Sequence, residues 1–327
     1  MKICVFGAGA VGGHLAVRLA RGGAQVSVIA RGANLAAIRA RGLTVHAADG
    51  IFEARPAASD DPAAFGVQDA VLVTTKAPAL PAVAAAIAPL LGPQTPVVFV
   101  LNGIPWWYFF SHGGEHEGRR LPEIDPDDAL FRTVGPARTV GGVVYSACDI
   151  VAPGVIHVGN PRSRLVLGEI DGMLSPRVAA IRAVLDAGGM TGEVTSRIRD
   201  TVWLKLLMNL STGPMAVLTL SPSKVLFTEP ACVAAAQAIA AEVAAVAHAF
   251  GCPVDPARET RIAPGGGITH KPSILQDLQA GRPMEVAAMF EAPRALARLA
   301  GVATPTLDLL ASLAVLRARA PIPARGT

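Results

Sequence analysis

An amine and an amide stand four residues apart in the apolar stretch Thr201-Val-Trp-Leu-Lys205-Leu-Leu-Met-Asn209-Leu-Ser211. At helical spacing the two share a face. An uncompensated ammonium is costly to bury, so Lys205 requires a partner or a solvent-lined cleft. A lysine snorkelling from a surface helix would read the same way. Lysine is scarce, however: positions 2, 76, 205, 224 and 271 hold the only five among 29 basic residues. A lysine can release a proton where an arginine cannot, so position 205 points to proton donation.

Other polar groups gather around two further segments. His270-Lys-Pro-Ser273-Ile-Leu-Gln276-Asp277-Leu-Gln-Ala-Gly-Arg282-Pro-Met-Glu285 carries a hydroxyl, an amide and two acids around a turn at Gly281. Glu285 opens an apolar helical pattern spanning Met284–Ala300, where a carboxylate also favours the helix N-terminus. Lys76 and Asn102 close the apolar runs Ala70–Thr74 and Val97–Leu101. Ligands of open α/β sheets bind at such carboxyl ends, although an ordinary strand-to-loop cap uses the same residues. His112-Gly-Gly-Glu-His116 has two imidazoles, but its diglycine opposes a helix and no third ligand is evident, so no metal site is expected. The adjoining Trp106–Phe110 run reads as a packed wall.

The elements that position these groups begin at the N-terminus. Ile3–Phe6 reads as a buried strand leading into Gly7-Ala8-Gly9-Ala10-Val11-Gly12, and helical spacing comes next. In such a turn the first glycine allows the bend. The second lets a pyrophosphate approach the backbone, and the third lets helix and strand pack closely. Free N–H groups at the helix start would hold the phosphates. The next strand, Gln25–Ala30, ends at Arg31, and no acid occurs between Gly12 and Asp49. An acid there would accept the ribose 2′-OH of NAD; a guanidinium pairs with a 2′-phosphate, which favours NADP.

Apolar strands then alternate with helical stretches, the pattern of a doubly wound parallel sheet. The β-rich segments Val140–Ser146 and Arg164–Gly168 are expected to extend that sheet, antiparallel at its edge. Beyond Ser196 the patterns are helical: Asp200–Leu210, Pro230–Phe250, Met284–Ala300 and Thr306–Ala318. We therefore expect an α/β N-terminal domain of Rossmann type at 1–195 and an all-helical domain at 196–327. The tail Pro321–Thr327 reads as a frayed end.

Composition sets the class. Of the 327 residues 51% are hydrophobic and 17% charged, with a net charge of +4 spread along the chain, so nucleic-acid binding is not suggested. Cys4, Cys148, Cys232 and Cys252 show no CxxC spacing and read as thiols in a reducing cytoplasm. No apolar run reaches the roughly 18 residues of a membrane span, and glycines rule out a signal-peptide reading of the start.

In order, GAGAVGG at 7–13, VTTK ending at Lys76, LNG at 101–103, WLKLLMN at 203–209 and SILQDLQAGRPMEV at 273–286 resemble the ketopantoate reductase (2-dehydropantoate 2-reductase) family. The resemblance implies an active site in a cleft between the domains and NADPH-dependent reduction of 2-ketopantoate to (R)-pantoate, on the route to pantothenate. It implies that Lys205 protonates the forming alkoxide and that Glu285 orients substrate and lysine. Asn209, Ser273 and Asn102 would hold substrate. Lys76 and Asn102 would line the nicotinamide side, and Arg31 would hold the 2′-phosphate. Many relatives carry asparagine-proline where this chain has Gly213-Pro214, and the run Val286-Ala287-Ala-Met-Phe290 also departs from the family pattern. Those departures leave a different branched or bulky 2-oxo acid open as substrate. A non-catalytic NADPH sensor is the remaining alternative, and the apolar helices leave a homodimer open.

Overall fold

The computed structural model describes residues 1–259 and 262–319, with only the backbone of 258 and 259. The expected frayed end lies outside these residues. The chain divides into two compact units, Met1–Leu101 with Pro105–Ile198, and Asn102–Ile104 with Arg199–Thr327.

The first unit runs β1 (Lys2–Phe6), α1 (Ala10–Arg21), β2 (Gln25–Ile29), α2 (Gly32–Arg41), β3 (Leu43–Ala47), β4 (Gly50–Ala54), β5 (Ala57–Ser59), β6 (Ala70–Val73), α3 (Leu80–Ala86), β7 (Val97–Val100), α4 (Ala129–Thr133), β8 (Thr139–Tyr145), β9 (Cys148–Ala152), β10 (Val155–Val158), β11 (Arg164–Glu169), α5 (Pro176–Ala187) and β12 (Thr191–Val194). Eight strands form one sheet in the order β12-β11-β8-β7-β6-β1-β2-β5. The strands from β8 to β5 are parallel; β11 is antiparallel to β8 and parallel to β12. The central strands are apolar at every buried position, as strands covered on both faces must be. The expected α/β architecture is therefore present, antiparallel edge included.

One part of it was not expected. β9 and β10 leave the large sheet and join β3 and β4 in a second sheet, β4-β3-β10-β9. These strands are partly exposed and interrupted by polar residues such as Thr44, His46, Glu53, Asp149 and His157, so in sequence they lack the unbroken apolar run that marks β6 and β7. The run Trp106–Phe109 is buried core of this unit, with Trp106 set edge-on to Phe99 at 5.7 Å between ring centroids. His112 and His116 lie against the Phe109 ring, and no group of three metal-ligating side chains occurs among the described residues. All four cysteines are free, and burial pushes the Cys4 thiol up to about 12.

α1 buries His14 beneath the second sheet. Its Nε2 accepts from Arg18 Nε at 3.2 Å, and its Nδ1 lies 3.1 Å from Ser146 Oγ. Arg18 in turn holds Asp49 through two hydrogen bonds of 2.8 and 2.7 Å. Burial, and then the Arg18 charge, lower the His14 pKa to about 4 against the opposing pull of Asp49. Between 6.5 and about 4 the unfolded chain takes up a proton that the folded chain refuses. His14 thus favours folding fully above 6.5 and progressively less as the pH falls through that window, by at most about 3 kcal/mol. Urea unfolding at pH 7 and pH 5 is expected to show this loss in the wild type and a flatter dependence in His14→Gln.

In the second unit the described elements are helical: α6 (Ile198–Thr219, in this unit from Arg199), α7 (Ser223–Leu226), α8 (Pro230–Ala249), α9 (Pro256–Glu259), α10 (Ser273–Gln279), a π-helical turn (Ala287–Glu291), α11 (Ala292–Leu299) and α12 (Pro305–Arg319). α6 continues nine residues past the expected Leu210. Pro214 removes one ladder hydrogen bond, but Met215, Ala216 and Val217 are buried, and that packing carries the helix through. The expected helix at Met284–Ala300 instead starts at Val286 and opens with the π turn. α8 is long and apolar enough to cross a membrane by composition alone. Its Val233, Ala236, Ile239, Ala240, Val243 and Ala247 are buried at helical spacing, the arrangement of a core helix.

Candidate active site

The glycine turn belongs to the first unit and is braced from below. Gly7 has φ +109°, where a side chain is strained, and a Cβ added to Gly12 would lie 2.1 Å from the Gly7 carbonyl oxygen. Only glycine lets α1 come that close to the turn. A Cβ on Gly9 would meet nothing within 4 Å, so the backbone there faces open space at the first turn of α1. Thr74 Oγ1 donates to the Gly7 carbonyl at 2.7 Å, and Asn34 Nδ2 donates to the Ala8 carbonyl at 2.5 Å. The opposite end of the Asn34 amide accepts from Gly154 N at 2.8 Å, tying the turn to the second sheet. Sequence reasoning missed both braces. Thr74 carried a signal as the last residue of an apolar run, whereas Asn34 sits in a helix and carried none.

Ala8 is buried, while Ala10 and Val11 begin α1 with partial exposure. This free helix start, open at Gly9 and without an acid in its first turn, fits a pyrophosphate. Arg31 is exposed at the N-cap of α2, directly after β2. Lys76 is half-buried and leads a single 3₁₀ turn, Ala77–Ala79, after β6.

The second unit gathers the other candidates. Lys205 and Asn209, both half-buried, share one side of α6. Glu285 is only 6% exposed, just before the π turn. Asn102 Nδ2 donates to Glu285 Oε2 at 3.2 Å. Ser273 is the exposed first residue of α10.

Two contacts fix the Asn102–Glu285 pair. Ile104 N donates to the Ala288 carbonyl at 3.0 Å, anchoring Asn102–Ile104 on the π turn. Between them Gly103 adopts φ +83°, and a Cβ there would lie 2.3 Å from the Ala288 carbonyl oxygen. On the other side of Glu285, buried Asp277 accepts from Arg282 Nε at 3.0 Å and through its own carbonyl from Arg282 N at 2.9 Å. That clamp sets the path of Arg282-Pro-Met-Glu285. Asp277, an acid singled out for its type, thus shapes the loop.

Chemically, the first unit offers an anion cradle and a nearby guanidinium. The second offers an amine, two amides and a carboxylate, with the Asn102 amide and the Glu285 carboxylate held by the packed π turn. Gly103→Ala is expected to cost about 1–3 kcal/mol of stability, from the strained backbone and the Ala288 clash. Urea denaturation measures that loss. At a temperature where the variant is folded, its turnover should still fall, because Asn102 no longer meets Glu285.

Comparison with known proteins gives a consistent match. The family model described as Ketopantoate reductase PanE/ApbA matches residues 3–172, and its C-terminal counterpart matches residues 197–318. A 2-dehydropantoate 2-reductase of Mesorhizobium japonicum is 41% identical over 318 residues, covering 96% of each chain. Among solved structures, a candidate ketopantoate reductase from Ralstonia solanacearum MolK2 is 39% identical with a TM-score of 0.89, covering 97% of both chains. A 2-dehydropantoate 2-reductase from Geobacter metallireducens GS-15 is 26% identical with a TM-score of 0.83, covering 97% of this chain and 99% of its own.

Proposed function

Because the chain belongs to the ketopantoate reductase family of oxidoreductases, we propose that it reduces 2-dehydropantoate to (R)-pantoate with NADPH. The observation that carries this reading is the Asn102–Glu285 hydrogen bond in the unit that also holds Lys205 on α6. We assign cofactor binding to the first unit, through Gly7, Ala8, Gly9, Ala10, Val11, Gly12, Arg31 and Lys76, and substrate binding to the second.

Bound NADPH supplies the hydride that the C2 ketone accepts. The chain's own residues handle charge and position. As the ketone becomes an alkoxide, negative charge grows on its oxygen. The Lys205 ammonium donates a hydrogen bond to that oxygen and then its proton. Glu285 fixes the amine and the substrate, and Asn102 fixes Glu285. Asn209, one turn along α6, and Ser273 hold the polar groups of the acid. Arg31 pairs with the 2′-phosphate, which distinguishes NADPH from NADH.

A second reading rests on Gly213, one turn beyond Asn209. It is buried, and a Cβ added there would find Ile274 at 3.8 Å and the Phe290 ring at 4.0 Å, both apolar. Position 213 therefore faces apolar side chains and supplies no side-chain hydrogen bond, which suits a less polar 2-oxo acid.

Following NADPH absorbance with a panel of 2-oxo acids separates the readings. 2-Dehydropantoate should give the highest kcat/KM. A clear preference for an apolar 2-oxo acid selects the second reading, and tight nucleotide binding without turnover of any acid refutes both. Lys205→Ala should lower kcat by about a hundredfold or more while leaving the NADPH Kd nearly unchanged. Arg31→Ala should weaken NADPH far more than NADH in fluorescence titrations; equal weakening of both removes its assigned role.

A further inference from the structure

The first unit also contains a crevice that this chemistry does not use. It opens at the amino ends of β1 and β2, with a volume of about 540 Å³, and is lined among others by Lys2, Arg21, Gln25, Ser27, Glu53 and Arg55. Small-molecule sites span roughly 300–1,000 Å³. Cofactors of open α/β sheets sit at the carboxyl ends of the strands. This crevice is at the other end, and β1 alone separates Lys2 from Phe6 by about 13 Å.

Its charge is unbalanced, with three cations facing one carboxylate. Among the described residues Lys2, Arg21 and Arg55 are in no ion pair, and neither are Arg31, Arg41, Arg119, Arg132 and Arg162 of the same unit. Arg21 is nonetheless held in place. Its guanidinium lies 3.9 Å over the Phe52 ring, and that ring is also in contact with Arg18 at 4.4 Å. A ring fixes a guanidinium without neutralising it. The C-terminus of α1 favours a cation at Arg21. It gives no account of Lys2 on β1 or of Arg55 after β4.

We propose that this crevice is a second binding site, for a small molecule bearing two or more negative charges, either phosphate or carboxylate. Arg21 and Arg55 supply charge-assisted hydrogen bonds to its oxygens, and Lys2 adds a third cation.

Isothermal titration of the full chain, saturated with NADPH so that the glycine turn is filled, tests this with inorganic pyrophosphate as the probe. Citrate in a parallel titration separates polycarboxylates from phosphates. One saturable site per chain is expected for at least one probe. Arg21→Ala with Arg55→Ala should weaken it about tenfold or more, with the NADPH Kd unchanged as the control for folding. No saturable binding of either probe at millimolar concentration, or binding that survives the double substitution, overturns the proposal.

Discussion

The absence of a side chain at Gly12 is the constraint on which the first unit depends. With 2.1 Å between its missing Cβ and the Gly7 carbonyl, any other residue would lift α1 off the turn. Thr74 and Asn34 bond to the carbonyls of Gly7 and Ala8, so those carbonyls are satisfied inside the fold. The amide hydrogens at the start of α1 then face outward beside Gly9. The turn works through omission: no bulk at 12, and no neighbouring acid at the end of β2.

A similar economy of space shapes the second unit. A short backbone segment seats on the π turn because Gly103 has no side chain to hold it off. The buried carboxylate of Glu285 receives its hydrogen bond as a result. π turns are rare and recur at functional sites because the extra residue re-aims the side chains beyond it. Here the turn exposes the Ala288 carbonyl to Ile104 N, a bond that a regular helix would use internally.

The sequence revealed the parallel strands, the glycine turn and the helical character of the second half, since each has a strong period or a fixed spacing. It also pointed to Lys205, whose type contradicts its apolar surroundings. The small second sheet was hidden because β3, β4, β9 and β10 are half-exposed and broken by polar residues, so no continuous apolar run marks them. The length of α6 was hidden because Gly213-Pro214 is a stop signal that tertiary burial overrides. The Asn102–Glu285 contact joins residues 183 positions apart, and no local pattern encodes such a pair. Asn34 looks like any surface amide until its two backbone partners are seen.

The assignment of Asn102–Ile104 to the helical unit has a consequence for how this chain can be divided. A single cut after Ile198 would not release two whole parts. The C-terminal piece would lack its own three-residue insert, leaving the Ala288 carbonyl and the Glu285 carboxylate short of partners that only the N-terminal piece carries. A chimera that exchanges the helical half with that of a relative must therefore carry the three residues after β7 along with it.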